Sequence, residues 1–282
     1  MKYVYFIPKG GINDIFVQIN NVIKYCINHE RVLLLEMNHS MYNINFSDYF
    51  DIENCKCNII YDSNIIKETI NNSSLSIYPN IINSNSIISF HNDKELKWNS
   101  HCTIFSYKDT LLKLPEKNVN EDIIVHVACG GGNGFNFLKK IILKDNIKHA
   151  CIKKMKKLVN NYLCIHVRNT DLKCNYKELY NKNKKEIHSY KQIYICTDDK
   201  NVVSFFKSKK LNVFCFTTFP KGNYYSLHKT NDITSKTKIY DLFVDLYMAT
   251  NSDKILSNSK GGFINLLHMC HNHKKIMLDK LS

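Results

Sequence analysis

The densest chemistry in the chain lies between Leu163 and Asp171, Leu-Cys-Ile-His-Val-Arg-Asn-Thr-Asp. Tyr162, Leu163, Cys164, Ile165 and Val167 are β-formers in an almost continuous apolar run, which predicts a buried strand. His166 interrupts that run, and Arg168, Asn169, Thr170 and Asp171 follow at once. A strand ending this way delivers polar groups to the carboxyl edge of a sheet, where open α/β sheets bind ligands. Arginine is always charged, and its planar fork grips a phosphate through two hydrogen bonds. Thr170 and Asp171 are suited to holding the turn by side-chain to backbone bonds. The alternative for the same residues is an ordinary strand end closed by a surface ion pair.

Two later segments share this form. Gln192–Cys196 reads as a strand ending in Thr197-Asp198-Asp199, and Lys254–Leu256 as a short strand before Asn258-Ser259-Lys260-Gly261-Gly262, which opens a helix. If the three strands are parallel neighbours, their polar ends line one crevice. At the other end of the chain, Gly10 and Gly11 stand between a first strand, residues 2–8, and a helical pattern of Phe16, Ile19, Ile23 and Cys26. Glycines there let the backbone approach a ligand, and the helix start behind them favours an anion. A tight turn with no ligand is the alternative, because no GxGxxG is present.

The elements that must position these residues follow an α/β order. After the first helix, Arg31–Met37 reads as a buried strand, and the β–Gly loop–α–β unit opens like a Rossmann-type half. From 47 to 128 the expected strands are Asn58–Tyr61, Ser86–Phe90, Cys102–Ser106 and Ile123–Ala128, with a short helix at Ser63–Asn71. The Gly-rich stretch from His126 to Phe137 is expected to be a linker or a cleft-lining loop between halves. A second α/β set follows, with helices at Asp145–Val159, Tyr176–Ser189, Val202–Lys209 and Ile239–Asn251, a strand at Val213–Thr217 and a last strand at Ile276–Leu278.

The 282 residues suffice for one large or two small domains, and 44% hydrophobic with 23% charged residues is the balance of a globular protein with real cores. No stretch approaches the roughly 18 apolar residues of a membrane span, and the N-terminus reads as a strand, not a signal peptide. Abundant Asn, Lys and Ile mark an AT-rich genome. The net charge of +14 favours anionic ligands: nucleotides, nucleic acid or a membrane surface. Lysines cluster at 153–157, 182–186 and 207–210 without interleaved aromatics, so nucleic acid is not an expected partner. The 11 cysteines include no CxxC pair and several lie in apolar strands, the usage of a reducing compartment, so a cytoplasmic location is expected. Neither Cys55-Lys56-Cys57 nor the cluster of His268, Cys270, His271 and His273 has the paired spacing of a metal site. Near these strand ends, Asp198-Asp199 is an adjacent carboxylate pair able to hold Mg²⁺.

His166-Val167-Arg168-Asn169-Thr170-Asp171 resembles the His-x-Arg-Arg-x-Asp motif of the GDP-fucose fucosyltransferase superfamily, which spans α1,6-, α1,2- and protein O-fucosyltransferases. Tyr194-Ile195-Cys196-Thr197-Asp198-Asp199 is similar to its second motif. The stretch from Asp245-Leu246-Tyr247-Met248 through Asp253 and Ser257 to Phe263 is similar to its third. Gly10-Gly11-Ile12-Asn13-Asp14 with Gln18 resembles the N-terminal Gly loop of the α1,2 and O-linked members. The motifs come in family order; residues 40 to 125 match nothing.

The resemblance implies an α/β, GT-B-like fold of two Rossmann-type domains facing a cleft. Residues 1–140 would be the acceptor-side domain and 141–282 the donor domain, with the last helix packing back on the first. It implies inverting transfer of fucose from GDP-fucose to a glycan or other acceptor, with no metal or other cofactor. Arg168 would hold the donor pyrophosphate, His166 would lie against the nucleotide, Thr197 and Asp198 beside the donor, and Asp245 on the guanine edge. Gly10, Gly11, Asn13, Ser259, Lys260, Gly261 and Gly262 complete the expected donor site. Arg168 would be catalytic by stabilising the leaving GDP. Asp14, with Glu36 as the other candidate, is expected as the base. Asn169 departs from the motif where many members carry a second Arg, and Lys260 is placed to restore that charge. A non-catalytic nucleotide or anion binder on the same fold, or a transferase using a different nucleotide sugar, are the alternatives. A Rossmann oxidoreductase is disfavoured by the absent GxGxxG.

Overall fold

The computed structural model describes residues 1–90, 95–222, 224–227 and 230–282, and divides the chain into two compact units, Met1–Ile142 and Leu143–Ser282.

In the first unit the apolar runs become the centre of a sheet. β1 (Tyr3–Pro8) leads through Gly10 and Gly11 into α1 (Ile12–Asn28), β2 (Val32–Leu35), β3 (Phe50–Ile52) and β4 (Ile59–Ile60). Then follow α2 (Ser63–Asn71), β5 (Ile77–Tyr78), α3 (Ser84–Ser89), β6 (Leu96–Asn99), β7 (Ile104–Tyr107), β8 (Thr110–Leu111), β9 (Ile123–Ala128), α4 (Phe135–Leu138) and β10 (Ile141–Leu143). The sheet runs β4-β2-β1-β9-β7-β6, parallel from β4 to β9, with β7 antiparallel to β9 and β6 antiparallel to β7. Strands buried on both faces read as near-continuous apolar runs, and β1, β2 and β9 do so, β9 with His126 as its one interruption. One face packs Ile66 and Ile70 of α2 with Ile82, Ile87 and Phe90 on Tyr5, Leu34, Val125 and Val127.

Two expectations fail here. The segment expected as a strand at Ser86–Phe90 is helical, α3, with Ile87 and Phe90 packed into the core beside Ile82. Of the two readings of the Gly-rich stretch after His126, the linker is the one that fails: the stretch lies inside the first unit and is bonded to α1.

The second unit holds α5 (Asp145–Met155), β11 (Leu163–Val167), α6 (Tyr176–Ser189), β12 (Ile193–Thr197), α7 (Lys200–Ser208) and β13 (Val213–Phe214). These are followed by α8 (Ser235–Asn251), β14 (Lys254–Ser257), α9 (Gly262–Asn272) and α10 (Lys274–Asp279). Its four strands are all parallel in the order β13-β12-β11-β14, so β11 is flanked by the two other strands with polar ends. α6 and α7 cover one face, burying Leu179, Ile187, Val202 and Phe206 on Leu163, Ile165, Ile193 and Ile195. Every residue of α8 from Phe243 to Thr250 is buried, because the helix is packed against β12 and against α5, α9 and α10. Asn175, Asp199 and Thr234 cap α6, α7 and α8 through backbone N–H groups, as their side-chain oxygens predict. The last strand expected at Ile276–Leu278 is instead the middle of α10, whose Met277 is buried. All eleven cysteines are unpaired.

Candidate active site

The carboxyl ends of β11, β12 and β14 meet at one edge of the second sheet. His166 pairs in register with Cys196 on one side and Ser257 on the other, and its Nδ1 lies 3.2 Å from the Ser257 hydroxyl. Its ring stands 5.8 Å from that of Phe263. Burial, reinforced by Arg168 and His268, pushes its pKa down to about 3. The imidazole is therefore neutral near pH 7 and offers one N–H donor and one acceptor.

The next turn is built from side chains. The Arg168 amide donates to Ser259 Oγ at 2.9 Å. The Arg168 guanidinium donates from Nε and Nη2 to the two Asp171 oxygens at 2.9 and 2.6 Å. Asp171 thus holds the arginine head. Asp198 accepts from the Asn169 amide at 2.7 Å and the Thr170 hydroxyl at 2.6 Å, and burial raises its pKa. Asp199 accepts from Asn169 Nδ2 at 2.7 Å and from the Asn201 amide at 2.8 Å, capping α7. Asn169, which replaces the motif's second Arg, is thereby the hub of the turn. Thr197, buried at the end of β12, accepts the Asp199 amide.

The third strand brings the start of α9. Gly261 has φ +125, a conformation L side chains rarely adopt, and a Cβ there would lie 3.3 Å from Arg168 Nη1. The guanidinium thus stands beside the beginning of an 11-residue helix that no side chain caps. Backbone N–H groups at a helix start and an arginine fork are two components of an anion site. Gly262 is the first helical residue, and Lys260 is exposed one residue before Gly261. Cys174 accepts from Ser259 Oγ at 3.4 Å and closes the side of this cluster.

Asp245 lies on α8 and is only 7% exposed. Its carboxylate accepts the Tyr194 hydroxyl from β12 and, at 3.1 Å, the Thr217 hydroxyl. Burial raises its pKa to about 7, with Tyr194 and Thr217 pulling the other way. The Cys196 thiol of β12 bonds the same carboxylate. A carboxylate has about four lone-pair sites, so these three donors leave little more than one site for a further donor. Beside the turn, a cleft of about 320 Å³ is lined by Asn169, Thr170, Lys173, Asn201, Tyr224 and Tyr225, among others.

In the first unit, Gly10 (φ +85) turns the chain so closely that a Cβ would lie 2.3 Å from Cys129 Sγ. The Gly11 amide donates to Asp14 at 3.3 Å. Asn13 is buried and bridges the Gly-rich loop, donating to the Gly132 carbonyl at 3.2 Å and accepting the Gly134 amide at 2.9 Å. Gln18 donates to the Gly130 carbonyl at 2.5 Å. Glu36, buried at the end of β2, has its pKa raised chiefly by that burial. Gly10, Gly11, Asn13 and Asp14 are thus brought together around α1, as His166, Arg168, Thr197, Asp198, Ser259, Gly261 and Gly262 are around the second sheet edge.

Sequence reading missed Ser257 as the partner of His166, and Tyr194 and Thr217 as partners of Asp245. Strand order, which no local pattern encodes, brings each pair together. Among the described residues no group of three His, Cys, Asp or Glu side chains is placed to hold a metal ion.

These features define a GT-B-like α/β protein with a GDP-fucose fucosyltransferase-like fold. The solved structures that share it include the α-1,6-fucosyltransferase NodZ soaked with GDP-fucose (TM-score 0.60, 14% identity, 95% of this chain and 92% of that one). NodZ co-crystallised with GDP matches at TM-score 0.59 and 15% identity, with the same coverage. NodZ from Bradyrhizobium matches at 0.60 and 16%, over 95% and 93% of the two chains. At these identities the likeness is one of fold. No protein-family model and no curated protein matches the chain in sequence.

Proposed function

We propose that the chain is a glycosyltransferase that transfers fucose from GDP-fucose to a glycan-type acceptor with inversion at the sugar C1. The observation that carries this reading is the close approach of Arg168 Nη1 to Gly261 at the uncapped start of α9. Charge develops on the β-phosphate as the C1–O bond breaks, and a prepositioned guanidinium with helix N–H groups stabilises it more than the ground state. Ser259 and the neutral His166 line the same edge and suit the nucleotide. Thr197 and Asp198 are proposed beside the donor, with Lys260 adding charge at the mouth. Asp245 is proposed to read guanine, since a carboxylate accepts from N1–H and N2–H together.

The first unit is proposed as the acceptor side, with Asp14 or Glu36 as the base. Asp14 is held by the Gly11 amide, whereas burial raises the pKa of Glu36, as a general base operating near neutral pH requires. The reaction is proposed to need no metal and to take place in the cytoplasm. Support for the donor comes from the NodZ structures of this fold, described as soaked with GDP-fucose or co-crystallised with GDP.

Thermal shift of the full chain with GDP, UDP, ADP and NAD tests the donor class, followed by GDP release from GDP-fucose in the presence of mixed glycans. GDP is expected to stabilise most and GDP release to depend on acceptor. Stronger stabilisation by ADP or NAD overturns the reading. GDP binding without turnover favours the non-catalytic binder.

A further inference from the structure

The charge of this chain is not shared between its units. Residues 143–282 carry 26 basic against 11 acidic side chains, +15, while residues 1–142 carry 13 against 14, −1. A genome-wide bias toward lysine codons acts on both halves alike, so it does not account for the difference. An anionic nucleotide does not require it either, since the arginine, helix start and lysine at the second sheet edge already supply local positive charge.

Much of the excess falls on one face. Between Tyr176 and Lys210 the sequence holds nine lysines against four carboxylates. α6 and α7 both press their apolar sides onto the same face of the sheet. They also touch each other, with Tyr180 of α6 against Phe205 and Phe206 of α7. Their lysines therefore share one outer surface. Lys177, Lys184 and Lys185 of α6 and Lys200 and Lys207 of α7 are exposed, as are Lys191 and Lys210 just beyond the ends of the two helices, and among the described residues none of them is in an ion pair. Lys182 pairs with Glu178, and Glu186 is taken by Lys254. Of the four carboxylates, Asp198 and Asp199 are committed to the turn at the sheet edge. Lys209 lies over the Tyr180 and Phe205 rings; in the opposite layer Lys148 donates to the Ser282 carbonyl, and Lys154 and Lys157 lie over the Phe216 ring.

We propose that the outer face of α6 and α7 docks on an anionic lipid bilayer. Lysines are compact point charges on flexible stems, suited to many loose contacts with headgroups. A polybasic surface gains from each lysine brought near an anionic leaflet, and the attraction fades within a Debye length, about 8 Å at physiological salt. The face carries no exposed large apolar side chain, so the docking is electrostatic, reversible and salt-sensitive. Nucleic acid fits less well, because no aromatic ring is presented for bases to stack on.

Vesicle flotation of the full chain tests this, with phosphatidylcholine alone and with phosphatidylcholine plus phosphatidylserine. Two variants carry the same change in net charge. One has Lys184→Glu, Lys185→Glu, Lys207→Glu and Lys210→Glu; the other has Lys153→Glu, Lys156→Glu, Lys157→Glu and Lys275→Glu. Circular dichroism checks that both fold. Wild type is expected to float only with the anionic vesicles and to be released by high salt. At about fivefold per lysine, the α6–α7 variant should bind at least about a hundredfold more weakly, and the other variant should lose less than about tenfold. Equal losses would reduce the effect to net charge and overturn the assignment of the face, as would binding to neutral vesicles. Wild type that ignores anionic vesicles but binds duplex DNA through this face would assign it to nucleic acid and likewise overturn the proposal.

Discussion

Asp171 holds one edge of the Arg168 guanidinium, Nε to Oδ1 and Nη2 to Oδ2, and thereby turns Nη1 toward Gly261. With side chains 28% and 18% exposed, this is a part-buried bidentate pair, and such a pair fixes orientation as well as charge. The surface ion pair and the anion grip, competing readings of the sequence, are thus compatible: Asp171 orients the group that would meet the phosphate.

Arg168→Lys is expected to cost transfer about 2–4 kcal/mol in the transition state, roughly 30- to 1000-fold in kcat/KM, the scale of removing one oxyanion donor. Lysine keeps the charge but cannot bond Asp171 and a phosphate with one planar fork. Asp171→Asn, which leaves one acceptor oxygen for Nε or Nη2, should lose about tenfold. Steady-state kinetics with GDP-fucose check both, and wild-type turnover in the lysine variant would remove Arg168 from this role.

Transfer is expected to survive excess EDTA. Asp198-Asp199 is the one adjacent carboxylate pair at this edge, and both members are occupied: Asp198 by the Asn169 amide and Thr170, Asp199 by Asn169 Nδ2 and the Asn201 amide. A divalent ion would compete for the same oxygens that hold the turn presenting Arg168. Complete loss in EDTA, restored by Mg²⁺ or Mn²⁺, would show that the pair binds metal after all.

The second sheet was legible because its strands are buried on both faces and end abruptly in polar residues; Val167-Arg168 and Thr197-Asp198 change character within one step. What escaped were relationships set by tertiary packing. Short strands such as β5, β6 and β8 hold two to four residues, too few for a period to show. Ile87 is apolar in a polar stretch that suits either a strand or a helix, and the core around Phe90 decided for helix. That Tyr194 and Thr217 meet Asp245 depends on α8 packing against β12.

A pH prediction rests on His126. It is 2% exposed, stacked on Phe6 at 5.3 Å, and bonded at Nδ1 to the Leu112 carbonyl, while its Nε2 is buried without a partner. Burial pushes its pKa down to about 4. Between that value and about 6.5 the unfolded chain holds a proton that the folded chain does not, so this residue's contribution to stability is lost as pH falls through that window. The slope is at most about 1.4 kcal/mol per pH unit. His166 acts in the same direction, whereas Asp245 and Asp198, with raised pKa values, oppose it. The clean measurement is therefore a difference. Urea unfolding of wild type and His126→Phe from pH 7 to pH 5 should show a shallower loss on acidification in the variant. Parallel curves would mean that His126 is not buried neutral.

The last prediction concerns donor choice and combines Asp245's environment with its proposed role. Guanine offers N1–H and N2–H side by side, and an ionised carboxylate accepts both; uracil and adenine cannot present that pair. Tyr194 and Thr217 already bond the carboxylate, so the difference is the guanine bonds that UDP lacks. A hydrogen bond to a charged group is worth about 1.5–3 kcal/mol, and GDP should bind at least about tenfold to a hundredfold more tightly than UDP. The pKa of about 7 adds a signature. Protonated, Asp245 offers a donor where guanine also has donors. GDP affinity should therefore fall toward about tenfold per unit as pH drops below 7, while UDP affinity stays level. Asp245→Asn should lose both the preference for GDP and its pH dependence, because an amide carries the opposing donor at every pH. Tyr194→Phe removes a competitor for the same oxygens and leaves the carboxylate, so selectivity should persist. Calorimetric titration of GDP and UDP into the three proteins at pH 8 and pH 6 decides it. Equal losses for both nucleotides in Asp245→Asn would make the residue structural, and tighter wild-type binding of UDP would sink the GDP-sugar assignment.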